Sequence, residues 1–115
     1  MKAFNAGDLD GILACYEPEA CYVPKSGRAA RGPVELRELF RAILARRTQI
    51  KLDVRKITLS GGDLALVIVD WTEWTSNTAS SAGEAKQWAS TATDIVRKQP
   101  NDTWKLALDI PYGVE

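Results

Sequence analysis

The residues best suited to acid–base chemistry in this chain are carboxylates set among apolar neighbours. Asp70 breaks the run Leu64-Ala65-Leu66-Val67-Ile68-Val69 and is followed by Trp71-Thr72-Glu73-Trp74. An acid in that setting is costly to ionise unless a partner or a cavity receives it. Histidine, the commonest general base, is absent from the 115 residues, so proton transfer falls to Asp, Glu, Tyr, Lys or Cys. Cys15 and Cys21 are the only thiols. Without histidine they do not make an ordinary zinc site, and they are expected as small buried hydrophobes, not as a disulfide scaffold. No metal or organic cofactor is implied.

The elements that must position these groups follow from periodicity. Met1 to Ala6 reads as the end of a helix stopped at Gly7, short enough to imply that the chain once began further upstream. Asp8 caps a second helix carrying Leu9, Ile12, Leu13 and Tyr16, which Pro18 ends. Ala20 to Pro24 is a short strand, and Ser26-Gly27-Arg28 turns it into a brief return strand. Gly32 and Pro33 open the clearest helix, with Leu36, Leu39, Phe40, Ile43 and Leu44 on one face, Glu35 in its first turn, and Arg46 and Arg47 in its last.

From Thr48 the period becomes two. Ile50, Leu52 and Val54 share one parity, but Ile57 and Leu59 take the other, so a β-bulge is expected near Arg55-Lys56. Ser60-Gly61-Gly62-Asp63 turns into the central strand Leu64 to Trp74. A loose loop over Thr75 to Gly83 precedes a strand from Lys86 to Lys98, and Trp104 to Ile110 forms the last. Asn101-Asp102-Thr103 matches the glycosylation sequon incidentally. Helices first and a bent meander afterwards describe an α+β fold with the helices on one sheet face.

Residues 1–115 are expected to form one domain with a real core. Fifteen basic residues balance fifteen acidic ones, and no basic stripe with interleaved aromatics suits nucleic acid. No apolar run reaches the length of a membrane span, and the signal-peptide pattern is missing. A soluble, cytoplasmic protein is the expectation.

Asn5-Ala6-Gly7-Asp8-Leu9-Asp10-Gly11-Ile12, then Tyr16-Glu17-Pro18-Glu19-Ala20, and Gly27 and Gly32 ahead of the amphipathic helix, together resemble the ketosteroid isomerase and SnoaL-like branch of the nuclear-transport-factor-two-like superfamily. Ala92-Thr93-Asp94-Ile95-Val96-Arg97-Lys98, Thr103-Trp104-Lys105-Leu106 and Asp109-Ile110-Pro111-Tyr112-Gly113 are similar to members of the same group. The resemblance implies a cone-shaped, curved mixed sheet wrapped around N-terminal helices, with an apolar pocket, a cystatin-like fold. In ketosteroid isomerases an Asp base moves the proton while a Tyr and a protonated Asp hold the oxyanion. Here the place of the base falls at Pro24 or Val23 and that of the tyrosine immediately before Met1, whereas Asp94 matches the protonated acid. Classical steroid isomerisation is therefore not expected.

If Asp94 faces the cone, parity places Trp88, Ser90 and Ala92 beside it. The same alignment turns Leu66, Ile68, Asp70, Thr72 and Trp74 inward, with Ala107, Asp109 and Pro111 on the last strand. Asp70, Asp94 and Asp109 would then surround one apolar cavity, where desolvation and like charge raise carboxyl pKa values toward neutrality; alternatively each Asp bonds a neighbouring Ser, Thr, Tyr or amide and does nothing else. Tyr22, Trp74 and Trp88 would sandwich a flat apolar ligand, or are ordinary core. Trp71 and Trp104 fall on the opposite parity, toward an outer sheet face whose apolar character implies a homodimer. Lys25 and Arg28 either guard the pocket mouth and attract an anion or form a solvated turn. Two functions follow: an isomerase or cyclase acting on a small apolar carbonyl compound, or a noncatalytic dimeric module binding a ligand or partner.

Overall fold

A computed structural model describes residues 2–25, 28–75 and 87–113. The turn expected at 26–27 and most of the loop expected over 75–83 lie outside the described residues. Two short helices, α1 (Lys2–Asn5) and α2 (Leu9–Leu13), precede strand β1 (Tyr16–Tyr22), strand β2 (Ala30–Arg31) and helix α3 (Gly32–Leu44). Strands β3 (Thr48–Ser60), β4 (Leu64–Thr75), β5 (Gln87–Lys98) and β6 (Trp104–Ile110) complete the α+β arrangement.

Local chemistry accounts for the starts of the helices. The Asp8 side chain accepts a hydrogen bond from the Gly11 amide at 3.0 Å, capping α2. Glu35 in the first turn of α3 accepts from the Arg31 amide at 2.9 Å, the return half of a capping box. The second helix is shorter than its periodicity suggested. It ends at Leu13, and Tyr16 and Pro18 belong to β1. Proline is tolerated there because the pairing of β1 with β6 is irregular between Tyr16 and Cys21, and β2 reaches only Cys21 and Tyr22.

The six strands run in the order β2-β1-β6-β5-β4-β3 in one curved, unclosed sheet. Among the described residues, only β1 and β6 pair in parallel; every other neighbour is antiparallel. The bulge read from the sequence is present: Val54 pairs with Val69 and Lys56 with Ile68, leaving Arg55 extra. Ile50, Leu52, Val54, Ile57 and Leu59 consequently share the face of Val67, Val69 and Trp71. Helices and inner sheet face meet around Phe4, Ile12, Tyr16, Ala20, Leu36 and Phe40, while a second buried group, Val69, Trp71 and Ala92, packs farther along the sheet.

Candidate functional site

Asp94 on β5 and Asp109 on β6 stand directly opposite each other, so their side chains share the inner face. Burial is nearly complete at Asp109, whose Oδ2 accepts a hydrogen bond from the Tyr16 hydroxyl at 2.5 Å. The Ile110 amide donates to Asp94 Oδ1 at 3.3 Å. Removal from water, reinforced by the charge of Asp109 and a hydrogen bond to it, pushes the Asp94 carboxyl up to about 8. Burial also raises Asp109, opposed by hydrogen bonds from Asp94 and Tyr16 that favour its ionised form. The Tyr16 hydrogen bond thus favours charge on Asp109 and leaves Asp94 as the more readily protonated of the two carboxyls. Desolvation and the neighbouring Asp109 charge lift the Tyr16 phenol well above its ordinary value, keeping it protonated.

These groups line a cavity of about 320 Å³ whose walls include Phe4, Phe40, Ile43, Val69 and Trp71. Trp71 is fixed by donation from its indole Nε1 to the Pro111 carbonyl at 2.6 Å and by an edge-on contact with Tyr112. A second polar group occupies the same wall. Glu73 is buried, accepts from Thr48 Oγ1 at 2.5 Å and lies 3.5 Å from Arg46 Nη2. Tyr22 stands edge-on to Phe40 and lies between the two polar groups. Desolvation raises its phenol, with further charge effects from Asp109 on one side and from Arg46 and Glu73 on the other.

The structure brings together Asp94, Asp109 and Tyr22 among the residues expected at the site. Asp70 is elsewhere. It pairs across β3 and β5 with Asp53 and Thr91, on the outer face, where it accepts from Thr91 Oγ1 at 2.7 Å and meets Arg55 Nε at 3.4 Å. Ile68, Thr72 and Trp74 share that outward parity. The reason is register: Asp94 sits opposite Val67, so the odd-numbered residues of β4 face inward and the even-numbered ones do not. Trp88 and Ser90 lie opposite Glu73 and Trp71 on the inner face but outside the cavity wall. Ala107 sits at the register shift of β6, which brings Leu106 as well as Asp109 to the cavity. Trp71 and Trp104, expected on the outer face, line the cavity instead.

Four groups at the site were not anticipated: Tyr16, Glu73, Arg46 and, as a wall, Trp71. For Tyr16 a usable signal existed, since Tyr16, Ala20 and Tyr22 share strand parity. Cys15 lines the cavity and Cys21 is buried, both as free thiols.

Residues 1–104 match the family model described as a SnoaL-like domain. The chain belongs to the SnoaL-like family. Solved structures share this SnoaL-like fold at low sequence identity. A ketosteroid isomerase-like protein from Erwinia carotovora atroseptica superposes with a TM-score of 0.77 at 21% identity, covering 95% of this chain and 83% of that one. A Streptomyces avermitilis protein of the NTF2-like family, provisionally named a dehydratase, gives 0.71 at 19% identity over 95% and 84% of the two chains. A Xanthomonas campestris domain, provisionally assigned as a calcium/calmodulin dependent protein kinase II association domain, gives 0.80 at 15% identity over 95% and 76%. An NTF2-like neighbour from Novosphingobium aromaticivorans is described as having a cystatin-like fold. No curated protein matches the sequence.

Proposed function

We propose that this SnoaL-like protein binds a small, largely apolar carbonyl compound and moves a proton with the Asp94–Asp109 pair, in a reaction of the isomerase, cyclase or dehydratase type. The observation that carries this reading is Asp94 directly across the sheet from Asp109, itself bonded by Tyr16, inside an apolar cavity. A neutral acid and an ionised acid side by side can act in concert. Asp94 gives its proton to the carbonyl oxygen while Asp109 takes one from the adjacent carbon, leaving an enol and an unchanged proton count on the pair. Tyr16 holds Asp109 in place and stabilises its charge before the transfer. Asp70, on the other face, has no part in this step.

The experiment is a carboxyl titration of the free protein by NMR. Asp94 is expected to titrate near 8, against about 3.9 for an unperturbed aspartate. A normal or lowered value for both Asp94 and Asp109 would remove the acid from the mechanism. The chemical counterpart is turnover of a carbonyl substrate found by screening. Asp94→Asn and Asp109→Asn should each reduce it by about a hundredfold or more, the usual contribution of a general acid or base.

A noncatalytic dimeric module remains the second reading, favoured by one observation. Leu66 is exposed on the outer sheet face, beside the half-buried Ile68, Ile95, Leu108 and Ile110. That face suits a second copy of the chain, and pairing there is compatible with either function.

A further inference from the structure

A second cavity, of about 300 Å³, adjoins the first and shares Tyr22, Ile43, Arg46 and Tyr112 with it. Its remaining lining is Pro24, Lys25, Leu39 and Ala42. Among the described residues, both charged side chains there are cations and the lining contains no carboxylate. Lys25 is exposed, with its ammonium 5.5 Å from the centre of the Tyr112 ring, which keeps it over the shared wall. Arg46 meets Glu73 at 3.5 Å through Nη2. Among the described residues, that is the side-chain partner found for its guanidinium, whose fork carries five N–H donors. Two cations against one carboxylate leave net positive charge at this end of the combined space.

The opposite end is set the other way. The two carboxyl groups lie there, Asp109 deep in the wall with the Tyr16 hydroxyl on its Oδ2 and Asp94 directly across from it. The strip between the ends is aromatic and aliphatic, formed by Tyr22, Ile43 and Tyr112. An elongated ligand with an anion at one terminus and a carbonyl at the other fits in one orientation. Its anion is drawn to Lys25 and Arg46 and repelled from Asp109, so the carbonyl reaches Asp94.

We infer that the substrate is an apolar keto acid, whose carboxylate is held by Lys25 and Arg46 in the outer cavity while its carbonyl enters the inner one. This rests on the reading of the Asp94–Asp109 pair as the proton-transfer site and adds the substrate class to it. The outer cavity is then a specificity subsite. It selects charged over neutral ligands and fixes which carbon faces the acid pair.

The test uses two fluorescent probes of matched shape, anilinonaphthalene sulfonate and its neutral parent phenylnaphthylamine, titrated into the full chain near neutral pH. The anionic probe should bind about fivefold more tightly, the scale of one favourable, partly exposed charge interaction. Lys25→Glu should abolish that preference while changing the affinity of the neutral probe by less than about twofold. Because Lys25 is exposed, its reversal leaves the core intact; Arg46→Gln is the companion variant and should act in the same direction. Equal binding of the two probes, or a preference that survives Lys25→Glu, overturns the subsite. If Asp94 still titrates near 8 in that case, the acid pair stands without it. If neither probe binds, both the subsite and the reading of the cavity as a ligand site fall.

Discussion

The acid pair makes stability run opposite to the usual carboxylate behaviour. An ordinary ion-paired aspartate has a lowered pKa and stabilises the fold at higher pH, whereas Asp94 is raised in the folded state. Between about 3.9, the unfolded value, and the folded value of about 8, the native chain holds more protons than the unfolded one. The contribution is complete below the lower value and is lost as pH rises through the upper one. Thermal unfolding should therefore occur at progressively lower temperature from pH 5 to pH 8, and Asp94→Asn should flatten that dependence. A melting temperature that rises over this interval in the parent would contradict the assignment. Sequence reasoning reached Asp94 through the family resemblance and Asp109 through strand parity from it, whereas Asp70, the acid conspicuous in an apolar stretch, lies on the other face. Tyr16 escaped that reasoning because one aromatic near a capped helix satisfies helical spacing and strand parity alike.

Among the elements, β3 shows what a hydrophobic pattern can reveal. Its parity change at Arg55 located the bulge, because only one extra residue returns Ile57 and Leu59 to the face of Ile50 and Leu52. Deleting Arg55 should leave those side chains on their present face and straighten the strand. The loss is then the Arg55–Asp70 ion pair, worth about 0.2–1 kcal/mol at an exposed position. Denaturant unfolding should remain cooperative with a midpoint close to that of the parent; a broad or absent transition would show that the bulge sets the sheet's shape in a way alternation does not. The same pattern could not orient β4. Ala65, Val67 and Val69 on one parity and Leu66 and Ile68 on the other are both apolar, so a slip of one residue leaves no trace in the hydrophobicity. Asp70 was assigned to the wrong face for that reason.

At the scale of the whole molecule, the outer sheet face is the surface proposed for pairing. Leu66 has 38% of its surface exposed on the outer sheet face. Pairing of two copies through this face predicts a dimer by sedimentation at micromolar concentration, converted to a monomer by Leu66→Lys together with Ile95→Lys. A monomeric parent would remove that interface. The residue patterns pointed to the α+β class, the strand order from β3 onward, and an apolar outer sheet face. They did not show which aromatics occupy that face, since Trp71 and Trp104 turn inward with their strands.

The parallel pairing of β1 with β6 has a bearing on how the chain reaches this state. Tyr16 lies opposite Leu106 and Tyr22 opposite Asp109, so the strand made early in synthesis takes its longer partner from the strand made late. Until β6 emerges, Tyr16 has no Asp109 to bond, and β1 has only the two-residue β2 beside it in the sheet. Contacts of such long sequence separation slow folding and discourage completion on the ribosome. Asp94, Asp109 and Tyr16 thus come together only when β1 and β6 are both present.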